Sequence, residues 1–526
     1  MTESNALHRL VRRVPTRVAG AGILTLALAA GFAGGRVTLT AEGPASTPAP
    51  QAVTRAVEPV GPIAGSPGSY SAIVDRVTPA VVTIFVEKRT KASQTSLPQE
   101  FRDLLPQQFG DDFGQQFGLP RDGQSRQFRI PEQRQSGLGS GVIIRPDGYI
   151  LTNNHVVDSV DKIRVELSDS RSFPAKVVGT DEASDLAVIK IDATNLPTLA
   201  YGDSDRVKVG DVVLAIGNPL GIGQTVTMGI VSAKGRTTER GGGEAASYED
   251  FLQTDAPINR GNSGGALVDM KGELVGINAQ ILSPSGGNIG LGFAIPSGMA
   301  RSVADQLING GVVHRAKLGV TVQGVTPEIA ESLGLKDNHG ALVSSVEAGS
   351  PADRAGVKVQ DVIVGFDGHT VTDSNSLRNL VASTRPGSAA ELKILRDGRP
   401  ETLTAHVVER DGEKASAARG NRGRGGEGDG ESGYGMTLSP MTPQLARQFE
   451  VPASTSGVVV TDVDPDSVAA NAGVRPGDVI KRVNGREVAS VTSLRTALNN
   501  QTGKPALMLV TRQGADIFVA LPSARS

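Results

Sequence analysis

A serine flanked by glycines is the residue of this chain best suited to covalent chemistry. Residues 255–266 read DAPINRGNSGGA, and Ser263 has glycines at positions 261, 264 and 265. Because glycine has no Cβ, a substrate carbonyl and backbone N–H groups can approach this serine closely. A serine hydroxyl is a weak nucleophile alone, so the chemistry also requires a base and a group that orients the base.

A histidine and an aspartate upstream supply those two groups. Residues 149–157 read YILTNNHVV, an apolar strand that leads to His155, and residues 184–191 read SDLAVIKI, which puts Asp185 at the start of another strand. His155 is the only histidine between the N-terminal segment and His314. The order His, Asp, Ser is that of the chymotrypsin-type triad. It predicts Ser263 as nucleophile, His155 as general base and then acid, and Asp185 as the residue that orients the imidazole.

The residues around Ser263 also fit the G-x-S-x-G turn of α/β-hydrolases. That turn requires a helix directly after the serine and triad partners later in the chain. Here the following residues, ALVDMKGELVGINAQIL, predict a strand, a turn at Lys271-Gly272 and another strand. The first later histidine, His314, falls where the domain is expected to end. The sequence therefore disfavours the α/β-hydrolase interpretation.

Composition excludes several other kinds of site. A chain of 526 residues is too long for one ordinary core and suggests about three domains. It has no cysteine, which excludes thiolate catalysis, disulfides and cysteine-bound zinc. Six histidines without an H-E-x-x-H motif do not support a metalloprotease, and a net charge of −2 does not indicate nucleic acid. We expect no cofactor and no metal.

Short β-rich segments divided by Gly, Asp and Asn turns fill residues 139–294, which predicts a barrel or sandwich. Four motifs resemble the HtrA (DegP/DegQ-like) serine proteases: TNNHVV, SDLAVIKI, QTDAPINRGNSGGALV and GGNIGLGFAIP. The likeness runs from about Tyr70 to the C-terminus. It implies a mainly β fold with a chymotrypsin-like double β-barrel, in which His155 and Asp185 come from the first barrel and Ser263 from the second.

The resemblance also implies which residues surround the triad. Three consecutive backbone N–H groups would form the oxyanion hole, those of Gly261, Asn262 and Ser263. Three apolar side chains would line the specificity pocket and favour small or medium aliphatic residues at the cleaved position: Ile258, Ile281 and Leu282. Two glycine-rich segments, 234–248 and 282–291, match the family's activation loops. Asp255 is interpreted as structural.

The N-terminus predicts export. Four arginines at positions 9, 12, 13 and 17 precede an uncharged apolar run from residue 18 to residue 35. This pattern is typical of a secretory signal or an uncleaved membrane anchor, and the run is long enough for either. We therefore predict a signal or anchor at 1–35, a flexible tether at 36–69 and a periplasmic protein whose only membrane contact is this segment.

A long insertion interrupts the predicted protease domain, which we expect at residues 70–313. Residues 88–135 are rich in Gln, Pro and Gly and carry scattered phenylalanines. A loop of this length inside a compact domain is either functional or disordered. The resemblance implies a role in oligomeric state and in access to the active site. Local packing of its phenylalanines in a solvated loop is the alternative.

An internal repeat fills the C-terminal part of the chain. Residues 340–377 align without gaps on residues 457–494, which indicates two modules of one fold. The modules resemble α+β PDZ domains, at 314–410 and 434–526, with a disordered linker at 411–433. Such domains bind an extended C-terminus as an added strand, and a glycine-containing loop captures its carboxylate.

The first module has the clearer peptide-binding loop. The matching residues are Lys317, Leu318, Gly319 and Val320, and residues 434–437 are the nearest counterpart in the second module. For the second module the alternative is a spacer or assembly element that binds nothing.

Together these features predict an exported serine endopeptidase that degrades unfolded or damaged polypeptides through an acyl-enzyme, in protein quality control of the cell envelope. The resemblance implies a homotrimer, or multiples of trimers, with chaperone activity as a further property. The alternative is a chaperone or PDZ scaffold with little protease activity.

Overall fold

The computed structural model describes most of the chain after the predicted tether. The described residues are 69–90, 94–95, 128–129, 133–218, 223–238, 248–259, 261–283, 287–410, 434–449, 451–452, 455–499 and 503–522. The predicted signal or anchor, the tether before residue 69, most of the insertion and the linker 411–433 lie outside them. Within the described part of the chain, no helix is long and apolar enough to cross a membrane.

Six antiparallel strands close the first barrel in the order β1-β4-β5-β8-β7-β6. Their bounds are β1 Val81–Thr90, β4 Gln133–Ile143, β5 Tyr149–Thr152, β6 Lys162–Glu166, β7 Ser172–Asp181 and β8 Leu186–Ile191. In β6 buried and exposed residues alternate, as expected for a strand with one face on a core. A short helix, α1 (Ser71–Val77), precedes β1, and another, α2 (Asn154–Val157), follows β5.

The base of the insertion is a strand ladder. The loop was predicted to span residues 88–135, but the pairing of β1 with β4 extends into it and ends with Thr90 opposite Gln133. Two short strands, β2 (Gln94–Thr95) and β3 (Phe128–Arg129), pair with each other inside it. The polar composition of these residues concealed the ladder, because backbone pairing needs no apolar side chains once two strands are aligned.

The second barrel closes in the order β10-β11-β14-β13-β12-β9. Its strands are β9 Val212–Gly217, β10 Thr225–Arg236, β11 Phe251–Thr254, β12 Ala266–Val268, β13 Leu274–Ile281 and β14 Gly292–Pro296. Helix α3 (Ser297–Gly310) follows and is capped by Gly311, whose left-handed φ of 74° suits a glycine after a helix. One apolar cluster contains residues of both barrels and of α3, so the three pack around a shared core.

Two modules with the same strand order follow the barrels. The sheet of the first module contains five strands in this order: β16 (Val320–Gly324), β17 (Ala341–Val346), β18 (Val362–Phe366), β20 (Ala389–Arg396) and β21 (Arg399–His406). A short strand, β19 (His369–Thr370), pairs with β18. Two further short strands, β15 (Ala316–Lys317) and β22 (Val408–Glu409), pair with each other. Its helices are α4 Pro327–Leu333, α5 Pro351–Ala355 and α6 Ser374–Ser383.

The second module repeats this arrangement. Its sheet contains five strands in this order: β23 (Met436–Pro440), β24 (Val458–Val463), β25 (Val479–Val483), β27 (Ala506–Arg512) and β28 (Ala515–Leu521). A short strand, β26 (Arg486–Glu487), pairs with β25. Its helices are α7 Pro443–Gln448, α8 Val468–Asn471 and α9 Val491–Asn499. The predicted fold class, a double β-barrel followed by two α+β modules, is confirmed.

The two modules pack directly on each other. Leu507, Leu509 and Phe518 from the sheet of the second module share an apolar cluster with Ile329 and Leu342 of the first. At the edge of this cluster the side-chain amide of Gln323 donates to Phe518 O at 3.0 Å and accepts from Phe518 N at 2.7 Å. The two modules therefore share part of their apolar packing.

Each module contains the same buried ion pair. Asp361 accepts two hydrogen bonds from the guanidinium of Arg396, at 2.8 and 2.7 Å, and Asp478 accepts two from Arg512, both at 2.7 Å. The hydrogen bond from Asp361 raises the pKa of Arg396. Both aspartate side chains are buried, and each carboxylate is compensated by its arginine and by one backbone N–H, that of Lys358 or Arg475.

Replacement of Asp361 by alanine is expected to destabilise the first module by about 1.5 to 3 kcal/mol, because Arg396 loses two charge-assisted hydrogen bonds and keeps its ion pair with Glu401 at 2.8 Å. Calorimetric unfolding of the full chain measures this loss as a transition at lower temperature. Asp147→Ala, which breaks an exposed pair with Arg145, is the control and should change stability by less than about 1 kcal/mol. Equal effects of the two substitutions would contradict the prediction.

Candidate active site

His155 is positioned by the asparagines that precede it. Asn153 is buried at the start of α2, and its side-chain amide donates to the main-chain carbonyl of Asp185 at 3.0 Å. The backbone N–H of Asn154 donates to the same carbonyl at 3.1 Å. These two bonds tie the end of β5 to the start of β8, which brings His155 and Asp185 together from positions 30 residues apart.

The carboxylate of Asp185 contacts both the imidazole and the backbone of His155. Asp185 has a left-handed φ of 54° after a 3₁₀ turn (Glu182–Ser184), a conformation that aspartate tolerates better than most residues. Its Oδ2 lies 2.7 Å from His155 Nδ1, and its Oδ1 accepts the His155 backbone N–H at 3.0 Å. A carboxylate at Nδ1 favours a proton on that nitrogen, which leaves Nε2 free to accept one.

The Ser263 turn lies between β11 and β12 of the second barrel. Gly261 and Gly264 have φ values of 100° and 82°, which favour glycine. A Cβ on Gly264 would also lie 2.1 Å from the carbonyl oxygen of Ser140, so this position requires glycine for space as well as conformation. Among the described residues, no hydrogen bond joins Ser263 Oγ to His155.

Some backbone N–H groups of the Ser263 turn donate hydrogen bonds within the protein, and others do not. Asn262 N donates to Asn259 O at 3.0 Å, and Gly264 N donates to Asn278 O at 2.8 Å. The Asn262 N–H is therefore engaged within its own turn, and its predicted contribution to the oxyanion hole stays a prediction. Within the described part of the chain, the N–H groups of Gly261 and Ser263 have no acceptor.

Ser140 and Thr152 of the first barrel hold the turn. Ser140 N donates to Ser263 O at 2.8 Å, and Ser140 Oγ donates to Gly261 O at 2.6 Å. Thr152 Oγ1 donates to Ser140 O at 2.7 Å. Neither residue was predicted from the sequence, because SGLGSGV and YILT indicate only strands. The small residues around Ser140 were the one available signal of a close approach.

The three predicted pocket residues differ in burial. Ile258 is buried in the core of the second barrel, and Ile281 packs against the same cluster. Leu282 is 55% exposed. A Cβ on Gly292 would lie 3.0 Å from Ile258 Cδ1, so this glycine keeps space beside the isoleucine. The predicted preference for aliphatic residues remains a prediction.

Directly after the first predicted activation loop, the chain contacts the first C-terminal module. The carbonyl of Glu249 accepts hydrogen bonds from the side-chain amides of Asn375 and Asn379 on α6, at 2.7 and 2.8 Å. Residues 239–247 lie outside the described part. In the second predicted loop, Leu282 N donates to Leu291 O at 3.1 Å, and the Asn288 side-chain amide donates to Ile258 O at 3.2 Å.

Asp250 follows this contact and is expected to make stability depend on pH. Burial raises the pKa of Asp250 to about 6, Lys234 opposes the shift, and Asp205 and Asp373 add to it. Because the folded chain then holds this proton more tightly than the unfolded chain, the free energy of unfolding should fall as pH rises from about 4 to 6.

We expect Asp250→Asn to stabilise the protein by up to about 3 kcal/mol above pH 6 and to have little effect below pH 4. Thermal unfolding of both proteins across this pH range measures the difference. A stability difference that is the same at both ends of the range would contradict the prediction.

The predicted peptide-binding loops of the two modules have matching geometry. Gly319 has a φ of 81°, and its carbonyl accepts the Glu347 N–H at 2.9 Å. Gly435 has a φ of 75°, and its carbonyl accepts the Asp464 N–H at 2.9 Å. Each loop leads into an edge strand of its sheet, β16 or β23, where an added strand could pair.

Residues of the first loop differ in exposure. Leu318 is buried, and its carbonyl accepts the Ala352 N–H at 2.9 Å. Lys317 forms an ion pair with Glu347 at 2.7 Å, and Val320 packs against the module core. Among the described residues, no group of three or more His, Cys, Asp or Glu side chains is arranged to hold a metal ion.

The fold and the site define a trypsin-like serine peptidase that carries two PDZ domains. A family model described as a trypsin-like peptidase domain matches residues 139–277, and two models described as PDZ domains match residues 316–407 and 459–512. The chain belongs to the DegP-like family of HtrA-type serine endoproteases, and its relatives support this over nearly their full length.

Two of the relatives that carry the name probable periplasmic serine endoprotease DegP-like show the extent of the match. The protein of Brucella suis biovar 1 (strain 1330) is 40% identical over 521 residues, which cover 95% of this chain and 97% of the relative. The protein of Chlamydia pneumoniae is 39% identical over 459 residues, covering 86% and 89%. The solved HtrA-type protease AlgW with tripeptide is 43% identical, covers 66% of this chain and 98% of its own, and has a TM-score of 0.50.

Proposed function

We propose that this serine endoprotease acts in the periplasm, where it hydrolyses unfolded or damaged polypeptides as part of envelope protein quality control. One observation carries the catalytic assignment: Asp185 Oδ2 lies 2.7 Å from His155 Nδ1, in a chain whose Ser263 turn has two N–H groups without acceptors among the described residues. An oriented base and two free donors are what acyl transfer to serine requires.

The proposed reaction begins when Ser263 Oγ attacks the carbonyl carbon of the scissile peptide and His155 Nε2 takes the hydroxyl proton. The N–H groups of Gly261 and Ser263 stabilise the oxyanion. The C–N bond then breaks, the leaving amine receives the proton from His155, and an acyl-enzyme remains. Water, deprotonated by His155, attacks the ester and releases the second product, while Asp185 holds the imidazole throughout.

Capture of substrate by the PDZ domains forms the second part of the proposal. The first domain would bind a polypeptide C-terminus as an additional strand on β16, with residues 317–320 at the carboxylate. The edge position of β16 and the left-handed backbone of Gly319 support this assignment. The related HtrA-type protease AlgW was solved with tripeptide, which is consistent with peptide binding by this type of protein.

The domain boundaries, location and assembly are proposed on the same basis. We assign the protease domain to 70–313, the PDZ domains to 314–410 and 434–526, and the linker to 411–433. Residues 1–35 would direct export, either as a cleaved signal or as an anchor, and the periplasmic names of the relatives support this location. A homotrimer, or multiples of trimers, and chaperone activity follow from the family resemblance.

A second candidate is a chaperone or PDZ scaffold with little protease activity. The absence of a hydrogen bond between Ser263 Oγ and His155, both within the described part of the chain, favours this candidate or a resting enzyme. Catalytic hydrogen bonds are often formed only when substrate binds, so the geometry is compatible with a protease.

Purified full-length protein treated with a fluorophosphonate probe distinguishes the two candidates. The protease should be labelled at Ser263, and it should cleave an unfolded protein faster than the same protein in its folded state. Added C-terminal peptide tests whether the PDZ domains activate it. A protein that is never labelled and never cleaves, with or without peptide, while it still suppresses aggregation of the unfolded substrate, would establish the second candidate.

A further inference from the structure

Ser140 contacts the Ser263 turn through both its amide and its hydroxyl. It lies on β4 of the first barrel and is 0% exposed. Its N–H donates to Ser263 O at 2.8 Å, and its Oγ donates to Gly261 O at 2.6 Å. The same Oγ accepts the Asn218 N–H at 2.9 Å, so the hydroxyl proton is committed to Gly261.

The two bonds that Ser140 donates fix two peptide units, Gly261–Asn262 and Ser263–Gly264. The unit between them, Asn262–Ser263, carries the Ser263 N–H. Because a peptide unit is planar, a bond to its carbonyl oxygen also sets the direction of its N–H. Ser140 holds the carbonyls of Gly261 and Ser263, and Gly265 N holds the carbonyl of Asn262 at 2.9 Å. The Ser263 N–H is thereby directed away from all three contacts and stays without an acceptor among the described residues.

Gly261 depends most on the Ser140 hydroxyl. Its φ of 100° lies in the region that favours glycine, and it has no side chain to resist rotation. Among the described residues, Ser140 is the only one whose side chain donates to the Gly261 carbonyl. Without that donor the carbonyl would lose its partner, and only the bond from the Asn262 N–H to Asn259 O, at 3.0 Å, would still hold this peptide unit.

We propose that Ser140 is a positioning residue for the endopeptidase reaction. By donating to Gly261 O, its hydroxyl holds the turn in the form whose Gly261 and Ser263 N–H groups bind the oxyanion of acyl transfer. This inference rests on the proposed function of Ser263. It assigns to the first barrel, which supplies His155 and Asp185, control over the donors that the second barrel contributes.

Ser140→Ala in the full-length protein tests the proposal, and Ser297→Ala is the matched control. Ser297 is also a buried serine whose hydroxyl donates to a glycine carbonyl, Gly202 O at 2.8 Å, at the start of α3 and without contact to the catalytic residues. Ser297→Ala removes one buried hydrogen bond, whereas Ser140→Ala removes two, the one to Gly261 O and the one from the Asn218 N–H. Both should lower the melting temperature, and Ser140→Ala should lower it more.

Only Ser140→Ala should impair the reaction. We expect its kcat on a peptide substrate to fall about 10-fold to 100-fold with KM within about 2-fold, because the oxyanion donors act in the transition state. Labelling by a fluorophosphonate should slow in parallel. The pH dependence of kcat/KM should not change, since the imidazole and its carboxylate are untouched. Ser297→Ala should retain kcat within about 2-fold.

The possible results separate the inference from the function on which it rests. A wild type that is neither labelled nor active would contradict the proposed function. A labelled, active wild type together with a folded Ser140→Ala of unchanged kcat would overturn the role of Ser140. If Ser140→Ala does not fold, Ser140→Cys replaces it, because a thiol is a weaker donor of similar shape. Its kcat should then lie below that of the wild type, and an unchanged kcat would overturn the proposal.

Discussion

Alanine at position 263 is expected to lower the turnover number of the peptidase by about 10⁴- to 10⁶-fold, with little change in stability. Without Oγ no acyl-enzyme forms, and only the oxyanion donors and substrate binding continue to favour the reaction. His155→Ala should lower kcat to a similar extent, because the hydroxyl then has no base. The two substitutions combined should cost little more than either alone, since the residues act as one unit.

Hydrolysis of an unfolded substrate and covalent labelling by a fluorophosphonate measure this loss. His314→Ala is a matched control, because His314 Nδ1 also faces a carboxylate, that of Glu409, but lies outside the candidate site. This control should retain wild-type activity. Labelling that persists in Ser263→Ala at the wild-type rate would assign the nucleophile to another residue.

Asp185→Asn is expected to lower kcat by about 10⁴-fold while the local backbone is preserved. Asparagine tolerates the left-handed conformation that Asp185 adopts, with a φ of 54°. In the wild type, Oδ1 accepts the His155 backbone N–H and Oδ2 faces Nδ1. The asparagine oxygen can keep only one of these positions.

The side-chain oxygen of the asparagine should take the position that accepts the His155 backbone N–H, because an NH₂ group there would place two donors opposite each other. The NH₂ group then faces Nδ1, which must become an acceptor. The ring proton moves to Nε2, and the imidazole can no longer accept the Ser263 proton.

Steady-state kinetics across pH test this prediction. The loss should appear in kcat, and activity should partly recover at high pH, where direct deprotonation of the serine replaces the base. Glu409→Gln makes the same chemical change beside His314 and should have little effect on kcat. An Asp185→Asn enzyme with at least one tenth of wild-type kcat would show that the carboxylate does not orient the base.

Long motifs made the chemical groups of the site predictable. TNNHVV, SDLAVIKI and GNSGG each combine a strand signal with a residue capable of chemistry, and their order along the chain is that of a known triad. The gapless repeat likewise predicted two modules of one fold. The limits of the insertion were less predictable, because polar residues at its base continue the pairing of β1 with β4.

The state of each backbone donor could not be predicted. Three consecutive N–H groups were expected to form the oxyanion hole, yet the Asn262 N–H donates to Asn259 O. The direction of an N–H depends on the dihedral angles of its turn, and these depend on contacts that spacing does not encode. The same limit explains why the role of Asn153 as a link to Asp185 was missed.

Residue types and periodicity between near neighbours were enough to propose the reactive groups and to predict the strand-rich domain and the repeated module. Which N–H groups of the Ser263 turn are free, and which residue of the other barrel holds that turn, became known only from the folded chain. Ser140 and Gly261 are 121 positions apart, and their hydrogen bond exists only because two closed barrels pack against each other. Packing between distant segments is a property of the whole fold, which no local pattern contains.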